Sequence, residues 1–279
     1  MRDVLIFFIA VTLGVTLLLG CKKTEFEIEN LNGNQITVLG HGGMGVKSTY
    51  PMNSIESVLK CLALGANGSE LDIQMTKDKV LILFHDEKLS GKTHLQGIVN
   101  NLSWDEIKNA YYKETPYLNY TLVSLEQLLS QIKNIQAYTF TFDCKLYTNQ
   151  EDRDKYYIDY CDALIHIIEK YQLENTVCIE SQDETFLNYL KQQRPNYKLF
   201  IYPSSFESGF NVALNLNLFG ITISTKDITK EQIKLAHQNN LRVAIWNIHS
   251  VSDNKEAIRK NPDYIQADNL QNLLNLLKK

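Results

Sequence analysis

The sequence lacks the features of a small cross-linked protein or of a nucleic-acid-binding protein. Its 279 residues include only 5 cysteines and 5 prolines, and no two cysteines have the CxxC spacing of a metal or redox motif. Positive charge is not in excess, since the formal net charge is −4 and the pI is near 5.9, which excludes a basic surface for nucleic acid. Four cysteines are predicted to be buried free thiols: Cys61, Cys144, Cys161 and Cys178.

A long uncharged apolar run occurs only at the N-terminus. Arg2 precedes such a run from Val4 to Leu19, and Gly20 and Cys21 follow it. The run is shorter than the roughly 20 residues of a membrane-spanning helix and has the shape of a secretory signal. The small residue before a cysteine resembles the processing site of bacterial lipoproteins, where that cysteine takes the lipid. We therefore expect residues 1–20 to be a signal peptide; the alternative is a single transmembrane anchor.

This interpretation predicts an exported bacterial lipoprotein. Cys21 would hold it to a membrane on the periplasmic or cell-surface side, and we expect the outer membrane. Residues 21–35 are polar and rich in Glu and Asn, as in a tether. Residues 36–279 would form one catalytic domain, because no internal repeat and no Pro/Gly-rich linker interrupts them.

The length and the element pattern predict a (β/α)8 barrel. Removing the first 20 of the 279 residues leaves 259, close to the roughly 250 of a single barrel. Short β-rich runs alternate with helical patterns, which is typical of parallel β/α folds. The strand candidates are Ile36–Leu39, Ser69–Ile73, Val80–Phe84, Tyr138–Asp143, Thr176–Glu180, Leu199–Tyr202, Gly220–Ser224, Arg242–Trp246 and Tyr264–Gln266. They number nine where a barrel needs eight, and no helix pattern separates the second from the third. One of these two is expected to be a hairpin partner, or a strand that lacks its helix.

Two carboxylates in the second strand candidate predict a metal site. Glu70 and Asp72 are two residues apart, so their side chains leave the strand on the same side. Their mutual repulsion is costly unless a positive charge lies between them, and a hard divalent cation held by oxygen ligands would supply it. We expect Ca²⁺ or Mg²⁺, between which the ligands alone do not distinguish.

Further ionisable groups follow other strand candidates, where a barrel gathers its catalytic residues. His41 follows the first candidate and His85 the third, while Asp143 and Lys145 share one face at the end of the fourth. Two histidines of opposite protonation state beside a metal suit phosphodiester cleavage.

Other residues near strand ends have less definite roles. Trp246 ends a strand and Asn247 follows it, so we expect the two to form a pocket wall. Asp268 ends the last strand candidate, where it would either line the site or cap the terminal helix. His249 is interpreted as a surface residue, although it lies close to a strand end.

Taken in order, these segments resemble the glycerophosphodiester phosphodiesterases over residues 36 to about 275. The motifs that carry the resemblance are Gly40-His41-Gly42-Gly43, Pro51-Met52-Asn53-Ser54, Glu70-Leu71-Asp72, Thr76-Lys77-Asp78, Phe84-His85-Asp86, Phe142-Asp143-Cys144-Lys145, Val243-Ala244-Ile245-Trp246-Asn247 and Gln266-Ala267-Asp268. The resemblance implies catalytic roles for His41, His85 and Lys145. It implies metal ligation by Glu70, Asp72 and Asp143, and contact of Trp246 with substrate.

The resemblance implies metal-dependent hydrolysis of a small-molecule glycerophosphodiester to glycerol 3-phosphate and an alcohol. Two positions depart from the family pattern: Gly42 stands where an arginine is usual, and Met52 where a glutamate is usual. Lys47 in the same loop is a candidate for the lost positive charge. These departures leave two alternatives open: a phospholipase C/D-like enzyme for another head group, and a non-catalytic lipoprotein that binds a phosphorylated ligand. The sequence does not indicate an oligomeric state.

Overall fold

The computed structural model describes residues 26–278. Ten strands lie within this range: β1 (Thr37–Gly40), β2 (Gly68–Met75), β3 (Leu81–Leu83), β4 (Val123–Ser124), β5 (Thr139–Cys144), β6 (Val177–Ser181), β7 (Lys198–Ile201), β8 (Gly220–Ser224), β9 (Arg242–Trp246) and β10 (Tyr264–Ala267). Helices alternate with them: α1 (Ile55–Ala63), α2 (Trp104–Ile107), α3 (Leu125–Leu129), α4 (Arg153–Lys170), α5 (Glu184–Gln193), α6 (Phe206–Asn215), α7 (Lys230–Gln238), α8 (Val251–Arg259) and α9 (Leu270–Leu277).

Eight of these strands form a closed parallel barrel, which confirms the predicted (β/α)8 fold. The sheet order is β1-β10-β9-β8-β7-β6-β5-β2, and a further pairing of β1 with β2 closes the ring. Apolar side chains of the strands and of the surrounding helices form the main core. Catalytic groups in such a barrel collect where the strands end, on the side of the βα loops.

The extra strand candidate, Val80–Phe84, is a hairpin partner, which is one of the two explanations predicted for it. Strand β3 pairs with β2 in antiparallel orientation, with Ile73 opposite Leu83, and β4 adds antiparallel to β3. The prediction that His85 ends a barrel strand is therefore wrong, because that residue follows a strand outside the ring. It belongs instead to the insertion, residues 76–122, which has a small apolar core of its own.

Polar side chains cross the barrel interior between strands that are not neighbours. Thr222 on β8 donates a hydrogen bond to Glu180 on β6, with 2.5 Å between the oxygens. Gln266 on β10 donates to both oxygens of the same carboxylate at 3.1 and 3.2 Å. Because β7 and β9 separate these strands, the three side chains meet inside the ring.

The segment before β1 packs at the N-terminal end of the barrel strands, opposite the end that carries the βα loops. Asp263, which is fully buried, accepts hydrogen bonds from the backbone N–H groups of Leu31 and Val243 and from the His237 ring. The division into leader, tether and barrel stays a prediction, because the leader and Cys21 lie outside the described residues.

The four predicted free thiols are confirmed: Cys61, Cys144, Cys161 and Cys178 are buried and unpaired. Between residues 26 and 278, the structure contains no helix of the length and hydrophobicity needed to cross a membrane.

Candidate active site

Four carboxylates lie buried at the ends of three neighbouring barrel strands. Glu70 and Asp72 come from β2, Asp143 from β5 and Glu180 from β6, and each is at most 6% exposed. Asp72 pairs in register with Asp143, and Asp143 with Glu180. Paired residues of parallel strands point the same way, so these acids form one layer.

Three of these acids converge closely enough to hold a metal ion. One carboxylate oxygen from each of Glu70, Asp143 and Glu180 lies within 4.8 Å of the others. Buried carboxylate oxygens are the donors that Ca²⁺ and Mg²⁺ prefer, so the chemistry of this set fits such an ion. Glu180 was not among the predicted ligands. The available signal was its place at the end of the Thr176–Glu180 strand candidate, the same signal that pointed to Asp143.

Asp72 is held differently, by a lysine and an asparagine. One of its oxygens lies 3.1 Å from the Lys145 ammonium, which also contacts Asp143 at 2.5 Å. The other oxygen accepts a hydrogen bond of 2.7 Å from the Asn53 side chain, whose own oxygen accepts the backbone N–H of Asp72. The predicted ligand set of Glu70, Asp72 and Asp143 therefore stays a prediction, with Glu180 as an added candidate.

The charge balance of this layer favours a bound cation. Burial and the neighbouring Asp72 raise the pKa of Glu70 well above its usual range, and burial and Asp143 raise the pKa of Glu180 to about 8. Burial would also raise the pKa of Asp72, but the Lys145 ammonium holds it below its usual value. A single lysine thus offsets four acids, and a divalent cation among them would remove most of the remaining repulsion.

His41 is fixed by a carboxylate from the far end of the chain. Its Nδ1 lies 2.9 Å from an Asp268 oxygen. A carboxylate only accepts, so Nδ1 carries the hydrogen and Nε2 remains for a substrate. Burial would lower the pKa of His41, but the hydrogen bond to Asp268 and the charge of Glu70 raise it to about 9. Asp268 therefore lines the site, which is one of the two roles predicted for it.

His85 reaches the same site from the insertion. Its side chain is 57% exposed, and its Nδ1 lies 2.8 Å from Asp86. A cavity of about 320 Å³ separates the insertion from the loop that follows β1, and both histidines line it. The Tyr117 hydroxyl donates a hydrogen bond to the backbone oxygen of Ser48 and joins the two walls. The structure thus brings the two predicted catalytic histidines to one cavity.

The predicted pocket wall lies beside His41. The Trp246 ring centroid is 6.5 Å from that of His41 and 5.6 Å from that of Tyr202. Its indole nitrogen is buried, and no acceptor for it exists among residues 26–278. Asn247 donates to the Ser224 hydroxyl and contacts His249. Contact of Trp246 and Asn247 with substrate stays a prediction.

The two positions that depart from the family pattern, Gly42 and Met52, are in direct contact: the Met52 side chain fills the space that a side chain at position 42 would need. Gly42 has a φ of +54°, and a Cβ built on it would lie 2.7 Å from the Met52 side chain. Met52 in turn lines the cavity, together with Pro51, Phe84, Tyr112 and Tyr117. A side chain at position 42 is therefore excluded while Met52 is in place. The cavity wall is apolar where the usual glutamate would stand.

Comparison with known proteins identifies the family. The model of the glycerophosphoryl diester phosphodiesterase family matches residues 44–271. The chain belongs to this family. The predicted resemblance and the predicted enzyme class, a phosphoric diester hydrolase, are therefore confirmed.

Three similar proteins match this chain over nearly their whole length. A glycerophosphodiester phosphodiesterase of Caldanaerobacter subterraneus subsp. tengcongensis is 25% identical over 248 residues, which cover 84% of this chain and 96% of that protein. A phosphodiesterase of Oleispira antarctica, solved with the product sn-glycerol-3-phosphate, has a TM-score of 0.75 at 16% identity and covers 87% of this chain and 97% of its own. A structure from Silicibacter pomeroyi has a TM-score of 0.77 at 19% identity, with coverages of 87% and 93%.

The contact between positions 42 and 52 generates a stability prediction. We expect Gly42→Ala to lower the free energy of unfolding by about 2–4 kcal/mol, because the new methyl group adds a clash to the strain of positive φ. Gly33→Ala is the matched control: its φ is +67°, and nothing lies within 4 Å of the added Cβ. It should cost only about 1 kcal/mol.

Urea unfolding of Gly42→Ala, Met52→Gly and the double variant measures the contact directly, because glycine also removes the Met52 Cβ, which would lie 2.8 Å from the added Cβ. The double variant should be less destabilised than the sum of the single variants by about 1 kcal/mol or more. Additive losses would show that the two side chains do not compete for space.

Proposed function

We propose that the protein is a metal-dependent phosphodiesterase that hydrolyses glycerophosphodiesters to glycerol 3-phosphate and an alcohol. The observation that carries the proposal is that two imidazoles line a cavity beside Lys145 and the four buried carboxylates: Asn53, which also lines this cavity, donates a hydrogen bond to Asp72. Family membership and the product bound to the Oleispira relative support the same reaction.

Each part of the site has a place in this reaction. Glu70, Asp143 and Glu180 would hold a divalent cation next to Asp72. When bound, that cation would stabilise negative charge on the non-bridging phosphoryl oxygens. Lys145 keeps Asp72 ionised and holds it beside Asp143 by its contacts with both carboxylates.

The histidines divide the proton transfers. The raised pKa of His41, about 9, favours the imidazolium form at neutral pH, so His41 would give the proton from Nε2 to the leaving oxygen. His85 would take the proton of the attacking hydroxyl group. That group would belong either to water or to the glycerol carbon next to the ester. The apolar walls around Met52 and Phe84 would limit the access of other water to the ester.

The assay uses glycerophosphocholine and measures the release of glycerol 3-phosphate. His41→Ala and His85→Ala should each lower kcat by about 10²- to 10⁴-fold, the usual value of a positioned acid or base. EDTA should abolish turnover, and Ca²⁺ or Mg²⁺ should restore it. His94→Ala is the control, because that ring stacks on Tyr111 in the insertion, outside the cavity lining.

The pH profile tests the division of roles. Activity should fall as the pH rises through 9 or somewhat below, because His41 then loses its proton and a bound cation offsets part of the Glu70 charge that raises this pKa. Turnover of another phosphodiester in place of glycerophosphocholine would favour the phospholipase alternative. No turnover at all, together with tight binding of a phosphorylated ligand, would favour the binding lipoprotein.

Metal binding itself is tested by thermal unfolding of chelator-treated protein. Added Ca²⁺ or Mg²⁺ should raise the Tm, because a ligand that binds only the folded state stabilises it. Glu70→Gln and Asp143→Asn should reduce that shift strongly. Exposed Asp105→Asn is the control, since its carboxylate pairs only with Lys108 at the surface. An equal shift in all variants would place the ion elsewhere.

We also propose that Cys21 is lipidated and anchors the protein to a membrane, and this rests on the sequence alone. Expressed from the full chain in a bacterium, the protein should sediment with membranes and take up labelled palmitate. Cys21→Ser should abolish the label, whereas Cys61→Ser should not. Label retained in the Cys21→Ser variant would contradict the assignment.

A further inference from the structure

The Asp268 carboxylate holds more than the ring of His41. The oxygen that faces His41 also accepts the backbone N–H of Val46 at 3.1 Å. The other oxygen is in contact with Nδ1 of His249. The side chain of Asp268 is only 3% exposed, so these groups are its hydrogen-bonding environment. One buried carboxylate therefore bridges two imidazoles.

His249 lies between two oxygen acceptors. Its Nδ1 faces the Asp268 carboxylate, and its Nε2 is 2.7 Å from Oδ1 of Asn247. Neither oxygen has a hydrogen to give, so each ring nitrogen must donate. An imidazole that donates from both nitrogens is an imidazolium cation.

The orientation of the Asn247 amide decides this hydrogen-bond count. Its nitrogen lies 3.3 Å from the Ser224 hydroxyl, which accepts in the arrangement described. A flipped amide would present its nitrogen to His249 and its oxygen to Ser224, and His249 would then be neutral. The state of the second nitrogen of His249 therefore reports which arrangement is present.

We propose that His249 is a positioning residue for His41: its ring holds Asp268 and Asn247 together, and so fixes the carboxylate that orients His41. This role in catalysis rests on the proposed phosphodiesterase function. The position of His249 in the loop after β9 lets it join the end of that strand to the end of β10. Without its donor, one oxygen of a buried carboxylate would lose its partner, and the carboxylate would be free to turn away from His41.

Two acids and one imidazole lie near His249. Asp268 faces it from the end of β10, and Asp253 in the first turn of α8 accepts its backbone N–H at 3.1 Å. The other ionisable ring in contact with Asp268 is His41, which lies on the opposite oxygen of that carboxylate. Two acids thus face His249, and one carboxylate separates the two rings.

The first measurement needs no substrate. ¹⁵N NMR of the metal-loaded protein with labelled histidine should show a hydrogen-bonded proton on Nδ1 of His249. It should also show a hydrogen-bonded proton on Nδ1 of His41. In His249→Ala the His41 proton signal should shift or exchange faster, because Asp268 is no longer held. His94→Ala should leave both sets of signals unchanged.

The second measurement is kinetic. His249→Ala should lower kcat by about 10- to 100-fold with little change in KM, as expected when a catalytic group is misoriented but substrate contacts remain. His249→Gln keeps one N–H donor for Asp268 and should retain more activity. Imidazole in the buffer should restore part of kcat to His249→Ala, because the His249 side chain is 39% exposed.

Two results would overturn the proposal. One is a His249 ring whose Nδ1 carries no hydrogen-bonded proton. The other is a His249→Ala variant, or a His249→Gln variant if the first does not fold, in which both the His41 signal and kcat equal those of the unaltered protein. If the unaltered protein turns over no phosphodiester, the proposed function fails, while the NMR experiment still decides whether His249 holds Asp268.

Discussion

The site depends on one electrostatic constraint: four carboxylates lie buried in a single layer with one lysine among them. Parallel pairing places Asp72, Asp143 and Glu180 side by side, so the barrel cannot close in this register without bringing these charges together. Lys145 offsets part of the charge through Asp72 and Asp143. The rest can be met by protons, as the raised pKa values of Glu70 and Glu180 indicate, or by a cation that would displace those protons. The register of the strands thus brings together the acids of the metal site that we propose.

The proposed acid, His41, and the proposed base, His85, are held in place by different parts of the chain. His41 belongs to the loop directly after a barrel strand, and Asp268 holds its ring from the adjacent strand end. His85 belongs to the insertion and is more than half exposed. The first histidine is thus oriented by the barrel itself, whereas the second depends on contacts such as that of Tyr117 with Ser48 to keep the insertion against the loop. Motion of the insertion would change the spacing of the two imidazoles.

Sequence reasoning found the groups that local rules mark and missed those that the closure of the barrel creates. Period-two alternation and strand ends were enough to select Glu70, Asp72 and Asp143. Glu180 carried the same signal but had no second acid beside it in the sequence. The contact of Asp268 with His41 depends on the pairing of β1 with β10, which joins residues more than 200 positions apart, and that of His249 with Asp268 depends on the pairing of β9 with β10. No local pattern indicates which strands will be neighbours in a ring, so these contacts could not be derived from spacing.

Because glycine replaces the usual arginine at position 42, the positive charge that binds a phosphodiester must come from other groups. An arginine there would place a fixed fork of donors beside the ester, but Met52 fills that space and shapes an apolar wall. Lys145 is already engaged by two carboxylates, and Lys47 is not part of the cavity lining, where Lys92 is the lysine present. In the proposed mechanism, the remaining positive charge toward the substrate would come from the His41 imidazolium and from the cation that the acids would hold. Because both depend on the same buried carboxylates, substrate binding and metal binding are expected to be more strongly coupled here than in relatives that keep the arginine.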